Sequence, residues 1–294
     1  MSLKIGGFYF YLVTAFLLTV AGLIGTFFLT PLEVKQIGFS QKIFYFHVPM
    51  AATSAVAFGV TLLGSIAYLM KDSKNLYRKA IRLTKATAIA TVIAFALRIT
   101  FNVMGIEVLG GIDVRLILLI ASISLITLVP VFWFFAFLTR ENMDTWASVG
   151  AEIGLLFGSM LLVMGILWTR VTWTVWWTWD PRLTSYLLVM LLYSGYFVLR
   201  SSVDSAHQRA RYSAALGIVS YIAVIFTMIS TRVLRSAHPV IFTLSDPGVE
   251  SSMLITFIVA MFAMIALFGA MIIVKVTINN LREQIEDMKD QLGG

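Results

Sequence analysis

Long uninterrupted apolar runs dominate the chain, and short polar segments separate them. Eight such runs occur, at 8–29, 43–70, 86–106, 115–138, 146–168, 183–199, 212–230 and 251–274. Each run is close to the length that an α-helix needs to cross a bilayer, and the runs are continuous where a barrel strand would alternate. The pattern therefore predicts an all-α, polytopic transmembrane helical bundle of about eight spans.

The composition agrees with this prediction. Hydrophobic residues make up 59% of the chain, charged residues only 13%, and the mean hydropathy is +0.90, whereas about a quarter of a soluble domain is charged. The chain has no cysteine, which excludes disulfides, thiolate metal ligands and a thioether to a cofactor. Any metal chemistry must use the three histidines or the carboxylates.

Lysine and arginine predict the orientation in the membrane. With a cytoplasmic N-terminus and a retained first span, fourteen of the 22 basic residues fall in inner segments, seven in outer segments, and Arg98 within a span. This bias follows the positive-inside rule, so the net charge of +7 indicates membrane lipids and no nucleic acid as partner. In this orientation His47, His238 and the segment 168–185 lie on the outer face, and His207 lies inside.

The segment 168–185, WTRVTWTVWWTWDPRLTS, holds five of the seven tryptophans. They are Trp168, Trp173, Trp176, Trp177 and Trp179. Indoles offer flat apolar faces to a planar partner, and Asp180 and Arg182 add charges that could hold its polar edge. An aromatic belt at the membrane interface would give the same composition, so the segment alone leaves both explanations open.

Two histidines beside these indoles favour haem over zinc as a bound group. Zinc sites normally need three or four protein ligands, whereas haem needs two axial ligands and aromatic packing for its macrocycle. The haem propionates would pair with cations, for which Lys42, Arg182 and Arg235 are candidates. Each of these cations could equally be an interfacial anchor.

Three features together resemble the CcmC family, haem-handling membrane proteins of system I cytochrome c maturation: Phe44–Pro49 (FYFHVP), the segment 168–185, and His238. The resemblance implies that His47 and His238 are the axial ligands of the iron of haem b. It also implies a haem platform made by Trp168, Trp173, Trp176, Trp177, Trp179 and Asp180.

The resemblance further implies a place and partners for the protein. It implies that haem is presented on the extracytoplasmic side of the cytoplasmic membrane and passed to the membrane-anchored haem chaperone CcmE. The ABC transporter proteins CcmA and CcmB and the small membrane protein CcmD are the other implied partners. Whether such transfer makes the protein an enzyme stays open.

Several residues depart from the family pattern. Thr169 and Thr174 stand where the family usually has glycine, and Pro181 stands where alanine is common. Pro181 and the eight spans are closer to system II cytochrome c synthases, which attach haem directly to apocytochrome. A transporter whose tryptophans form only a belt is a further alternative, and it would use Arg98 and Glu152 in the spans.

The domain organisation follows from the same runs. We expect one transmembrane haem-handling domain, 1–274, with an apparent two-helix insertion at 86–138. A cytoplasmic amphipathic helix, 275–294, would follow it. Its apolar residues recur at spacings of three and four, and they are Ile278, Leu281, Ile285, Met288 and Leu292. This spacing indicates a coiled-coil-like seam for a partner or a second copy, or a helix that lies on the membrane surface.

Overall fold

The computed structural model describes residues 2–30, 38–70, 89, 108–109, 112–113, 143–236 and 251–293. The chain divides into two compact units, Met1–Ser65 with Asp144–Gly294, and Ile66–Met143. The predicted spans 86–106 and 115–138 lie almost entirely outside the described residues, and so do Arg98 and His238. The expected insertion at 86–138 therefore stays a prediction.

Six long α-helices occur in the described part of the chain, and we number them in order. They are α1 (Ser2–Ile24), α2 (Phe44–Met70), α3 (Met143–Trp173), α4 (Pro181–Ser202), α5 (Ala206–Val233) and α6 (Ser251–Gly293). A π-helical turn, Gly25–Leu29, extends α1, and a 3₁₀ turn, Gly38–Ile43, leads into α2. Each long helix contains a stretch long and apolar enough to cross a membrane. This confirms the prediction of a polytopic helical membrane protein.

The second unit contains the two short strands of the described residues. Val108–Leu109 (β1) pairs with Ile112–Asp113 (β2) in an antiparallel ladder, with Val108 opposite Asp113. Gly110 and Gly111 separate the strands in the sequence, and glycine pairs are favoured in two-residue hairpin connections. The sequence pattern of apolar runs did not predict this pair.

The core of the first unit lies between α2, α3, α4 and α5, and glycine permits the close approach of α2 and α3. A Cβ added to Gly154 would lie 2.5 Å from the ring of Phe58, and one added to Gly150 would lie 2.7 Å from the carbonyl oxygen of Ala57. The Phe58 ring stacks on Tyr193 of α4 at 3.8 Å. The buried residues around this stack are Ala55, Ala151, Val189, Tyr196 and Val224.

The helices of the first unit alternate in direction. Asp144, at the start of α3, accepts two hydrogen bonds of 2.6 and 2.8 Å from Arg200, near the end of α4. The segment Thr174–Asp180, which joins α3 to α4, therefore lies at the opposite end of the bundle. We call this end, where the segment meets the end of α5 and the start of α2, the tryptophan end.

Candidate functional site

The tryptophans divide between a helix and the segment that follows it. The helix α3 continues through Trp168 to Trp173, five residues beyond the predicted end of the span. The non-helical segment Thr174–Asp180 then carries Trp176, Trp177 and Trp179. Trp168 is the last residue of the predicted span 146–168, and Trp173, which lies beyond that span, also belongs to the helix.

Two of the indoles in this segment are largely open to the surroundings. Trp176 is 60% exposed and Trp179 is 77% exposed, whereas Trp177 is half-buried. The rings of Trp177 and Trp179 meet edge to face, with centroids 5.8 Å apart and planes at 82°. The exposed Trp179 ring therefore rests against the half-buried Trp177 ring and presents apolar surface at the tryptophan end.

Arg170 connects the end of α3 to Trp176, the other exposed indole. Its guanidinium lies 5.5 Å from the ring centroid of Trp176, and it donates a hydrogen bond to the carbonyl oxygen of Thr174. The contact depends on Thr174, whose φ of 62° turns the chain back at the end of the helix. The sequence did not predict this role of Arg170, because a left-handed backbone conformation at a threonine cannot be predicted from residue spacing.

His47 lies on α2 and faces α3. A Cβ added to Gly165 would lie 3.5 Å from Cε1 of His47, so the imidazole packs against a helix position that has no side chain. Trp168 follows Gly165 by three residues and so lies one turn further along the same helix face. The structure thus brings His47 next to the helix that bears the first indoles. His207 is exposed at the start of α5, at the opposite end.

Asp180 joins two elements through its two carboxylate oxygens. Oδ1 accepts a hydrogen bond of 2.9 Å from the backbone N–H of Arg182, which caps α4. Oδ2 accepts a hydrogen bond of 2.8 Å from the hydroxyl of Ser236, beyond the end of α5. Ser236 precedes His238 by two residues in the sequence. No sequence signal pointed to Ser236.

The three candidate cations have different environments. Arg182 is half-buried in the first turn of α4, beside Asp180, and Arg235 is exposed next to Ser236. Lys42 is buried, and its ammonium donates to the carbonyl oxygen of Thr30 at 2.6 Å and to the Thr30 hydroxyl. The guanidinium groups are therefore better placed than Lys42 to meet a ligand carboxylate at the tryptophan end.

Three buried polar atoms here have no hydrogen-bond partner within the described ranges: Trp177 Nε1, Thr178 Oγ1 and Thr184 Oγ1. Buried polar groups are usually hydrogen-bonded, so these three atoms are available to a polar group from outside the described ranges. Around them lie exposed indoles and arginines. This combination suits a broad apolar ring with acidic substituents.

A metal ion at the tryptophan end would have few protein ligands among the described residues. Across the residues that the structure describes, no group of three or more histidines, cysteines or carboxylates could hold a metal ion. His47 is the one predicted metal ligand within those residues, since His238 lies outside them.

The sequence profile of the family described as CcmC, heme exporter protein C, matches residues 90–291 of the chain. Among individual relatives, heme exporter protein C of Bradyrhizobium diazoefficiens is 29% identical over 148 residues, which cover 50% of this chain and 56% of the relative. The Haemophilus influenzae protein of the same name is 29% identical over 135 residues, 45% of this chain and 55% of the relative.

Heme exporter protein C of Escherichia coli K12 is more similar over a shorter range, 39% identical over 75 residues, 26% of this chain and 29% of the relative. The matches thus span little more than half, or less, of the length of these relatives. The range matched by the family profile contains the tryptophan segment and His238, and it begins after His47.

Proposed function

This chain belongs to the CcmC family, heme exporter protein C, and we propose that it binds haem b at the tryptophan end and hands it on during cytochrome c maturation. The observation that carries the proposal is the approach of His47 to Gly165, one helical turn from Trp168. This contact puts a nitrogen ligand beside the indoles, which is the combination that a haem macrocycle needs.

The residues at the tryptophan end would have different roles in binding haem. His47 and His238 would ligate the iron of haem, and the macrocycle would supply the remaining ligands. Trp176 and Trp179 would pack on the macrocycle and keep water from it. Since the chain has no cysteine, it would hold haem without a thioether and could release it.

The acidic edge of haem would meet the polar groups around Asp180. Arg182 and Arg235 would pair with the propionates, and the buried Trp177 Nε1 would donate to one of them. Asp180 itself would have a positioning role. Through Ser236 it ties the chain just before His238 to the start of α4, at the end of the bundle where His47 lies.

The exposed indoles also suggest how haem leaves. Because Trp176 and Trp179 are open at one side, a bound haem would keep an accessible edge for a second protein. In this proposal that protein is the haem chaperone CcmE, with CcmA, CcmB and CcmD as further partners. The tryptophan end would face the extracytoplasmic side of the cytoplasmic membrane.

Two alternatives have less support from the described residues. Pro181, which favoured a synthase, occupies the first position of α4 behind the Asp180 cap, where proline is common for local reasons. Glu152, which favoured a transporter, pairs with Lys275 at 2.6 Å, and both side chains are exposed at the outside of the bundle. Neither residue lines an interior path.

Replacement of the histidines tests the proposal. We expect His47→Ala and His238→Ala each to lower the haem that copurifies with the protein by about tenfold or more, because each removes an axial ligand. The measurement is the Soret absorbance per mole of protein, and added imidazole should partly restore the spectrum. His207→Ala, at the opposite end, is the matched control. A double variant, His47→Ala with His238→Ala, that keeps wild-type haem content and spectrum would refute the proposal.

A further inference from the structure

The last helix is continuous and much longer than a membrane span requires. α6 runs from Ser251 to Gly293 without interruption, a length of about 64 Å at helical rise, or twice the hydrocarbon core. Residues 253–274 contain no charge and suffice for the span. The part after Lys275, which pairs with Glu152 of α3, is about 28 Å long. Val276 is still buried, and every described side chain from Leu281 to Leu292 is exposed.

The part after Lys275 carries an uncovered apolar stripe, which we call the α6 seam. Its members are Ile278, Leu281, Ile285, Met288 and Leu292. Their exposed fractions run from 40% to 89%, so nothing in the described ranges covers the seam. Alternating steps of three and four residues are the a and d positions of a coiled coil. In coiled coils such a seam is buried against another helix, so we expect a partner helix to cover it.

The residue types at these positions indicate which kind of helix would cover the seam. Ile278, Ile285 and Leu292 fall at a positions, and Leu281 and Met288 fall at d positions. Isoleucine at two of the three a positions, with leucine and methionine at d, favours a parallel two-stranded coil. Two copies of one chain share their orientation in a membrane, so their α6 helices must be parallel. From these observations we propose that residues 278–292 pair with the same residues of a second copy.

The flanking charges agree with this parallel pair. Gln284 is at a g position and Lys289 at an e position, and in a parallel pair each g residue faces the e residue of the other copy. Gln284 would thus face Lys289 of the second copy without repulsion. In an antiparallel pair the e positions would face each other and oppose the basic residues Arg282 and Lys289. This pairing is independent of the haem proposal.

Cysteine crosslinking tests the pairing directly, since the natural chain has no cysteine. Leu281→Cys and Met288→Cys place the thiol on the seam, and Asn279→Cys and Glu286→Cys place it at b positions as matched controls. Under mild oxidation in native membranes we expect seam variants to form disulfide dimers at least about tenfold more than the controls. Equal yields at all four positions, or a crosslinked product with the mass of a different partner, would overturn the pairing.

A charge change at one position then tests the parallel register. In the Met288→Cys background, Gln284→Glu should raise the dimer fraction roughly three- to fivefold through two new pairs with Lys289, and Gln284→Lys should lower it. In an antiparallel pair g positions face g positions, so Gln284→Glu would gain no pair with Lys289 and would not raise the dimer fraction. That result would overturn the proposed arrangement. The monomer content of the membranes and the thermal midpoint show that each variant folds.

Discussion

At the scale of single residues, Thr174 shows how one backbone angle shapes the site. Its φ of 62° lies in the left-handed region, which a β-branched residue adopts only at a cost. The angle ends α3 and points the chain back so that Arg170 reaches the Thr174 carbonyl. The resemblance placed glycine at this position in the family, and glycine adopts this angle without strain.

The first prediction concerns this strain. Thr174→Gly should stabilise the protein by about 0.5–1 kcal/mol, since relief of the left-handed strain exceeds the added flexibility of the unfolded chain. Thr172→Gly, two residues earlier and inside the helix, should destabilise it by about 1 kcal/mol. Thermal unfolding of the purified protein in detergent compares the two. A midpoint that falls equally in both variants would show that Thr174 is not strained.

At the scale of elements, the start of α4 combines local and long-range bonds. Asp180 and Pro181 are strong local signals for a helix start. The second oxygen of Asp180 adds a bond to Ser236, 56 positions later in the chain. One side chain therefore begins a helix and holds the segment that follows α5.

The second prediction separates these two roles of Asp180. Asp180→Ala should cost about 1 kcal/mol for the cap and about 1 kcal/mol or more for the bond to Ser236. Ser236→Ala should cost only the second amount, and the double variant should show a coupling of about 1 kcal/mol. The thermal midpoints of the three variants give the coupling, with Asp204→Ala, an exposed carboxylate at the other end, as control. Strictly additive effects would mean that the two side chains do not interact.

At the scale of the whole molecule, the described helices separate two chemically different ends. One end has the ion pair of Asp144 with Arg200 and the exposed His207. The other has the indoles, His47 and Asp180. The positive-inside bias of the sequence predicts that the tryptophan end faces away from the cytoplasm.

The third prediction tests this orientation. Val175→Cys, at the exposed tryptophan segment, should react with a membrane-impermeant maleimide in intact spheroplasts, because the thiol faces outward. Asp204→Cys, at the opposite end, should react only after permeabilisation. Gel shifts with a polymer-linked maleimide measure both, and the cysteine-free natural chain is the blank. The reverse pattern would invert the proposed topology.

Much of the candidate site was accessible from the sequence, but its internal geometry was not. The sequence alone identifies the cluster of five tryptophans and the candidates His47, Asp180 and Arg182, because these residue types are unusual in a lipid-facing chain. The hydrogen bond from Ser236 to Asp180 and the engagement of Lys42 by Thr30 are not visible. Both join residues that only folding brings together.

The sequence by itself determined that this is a helical membrane protein and where its six described spans lie, since runs of about twenty apolar residues have the length that a helix needs to cross a bilayer. Tertiary structure alone decided which helix faces meet, that α3 runs on to Trp173, and that His47 packs at Gly165. The physical reason is that these spans are apolar all round. Lipid and protein interior are equally apolar, so hydrophobic periodicity does not report the packing face, and small residues and side-chain shape decide it instead.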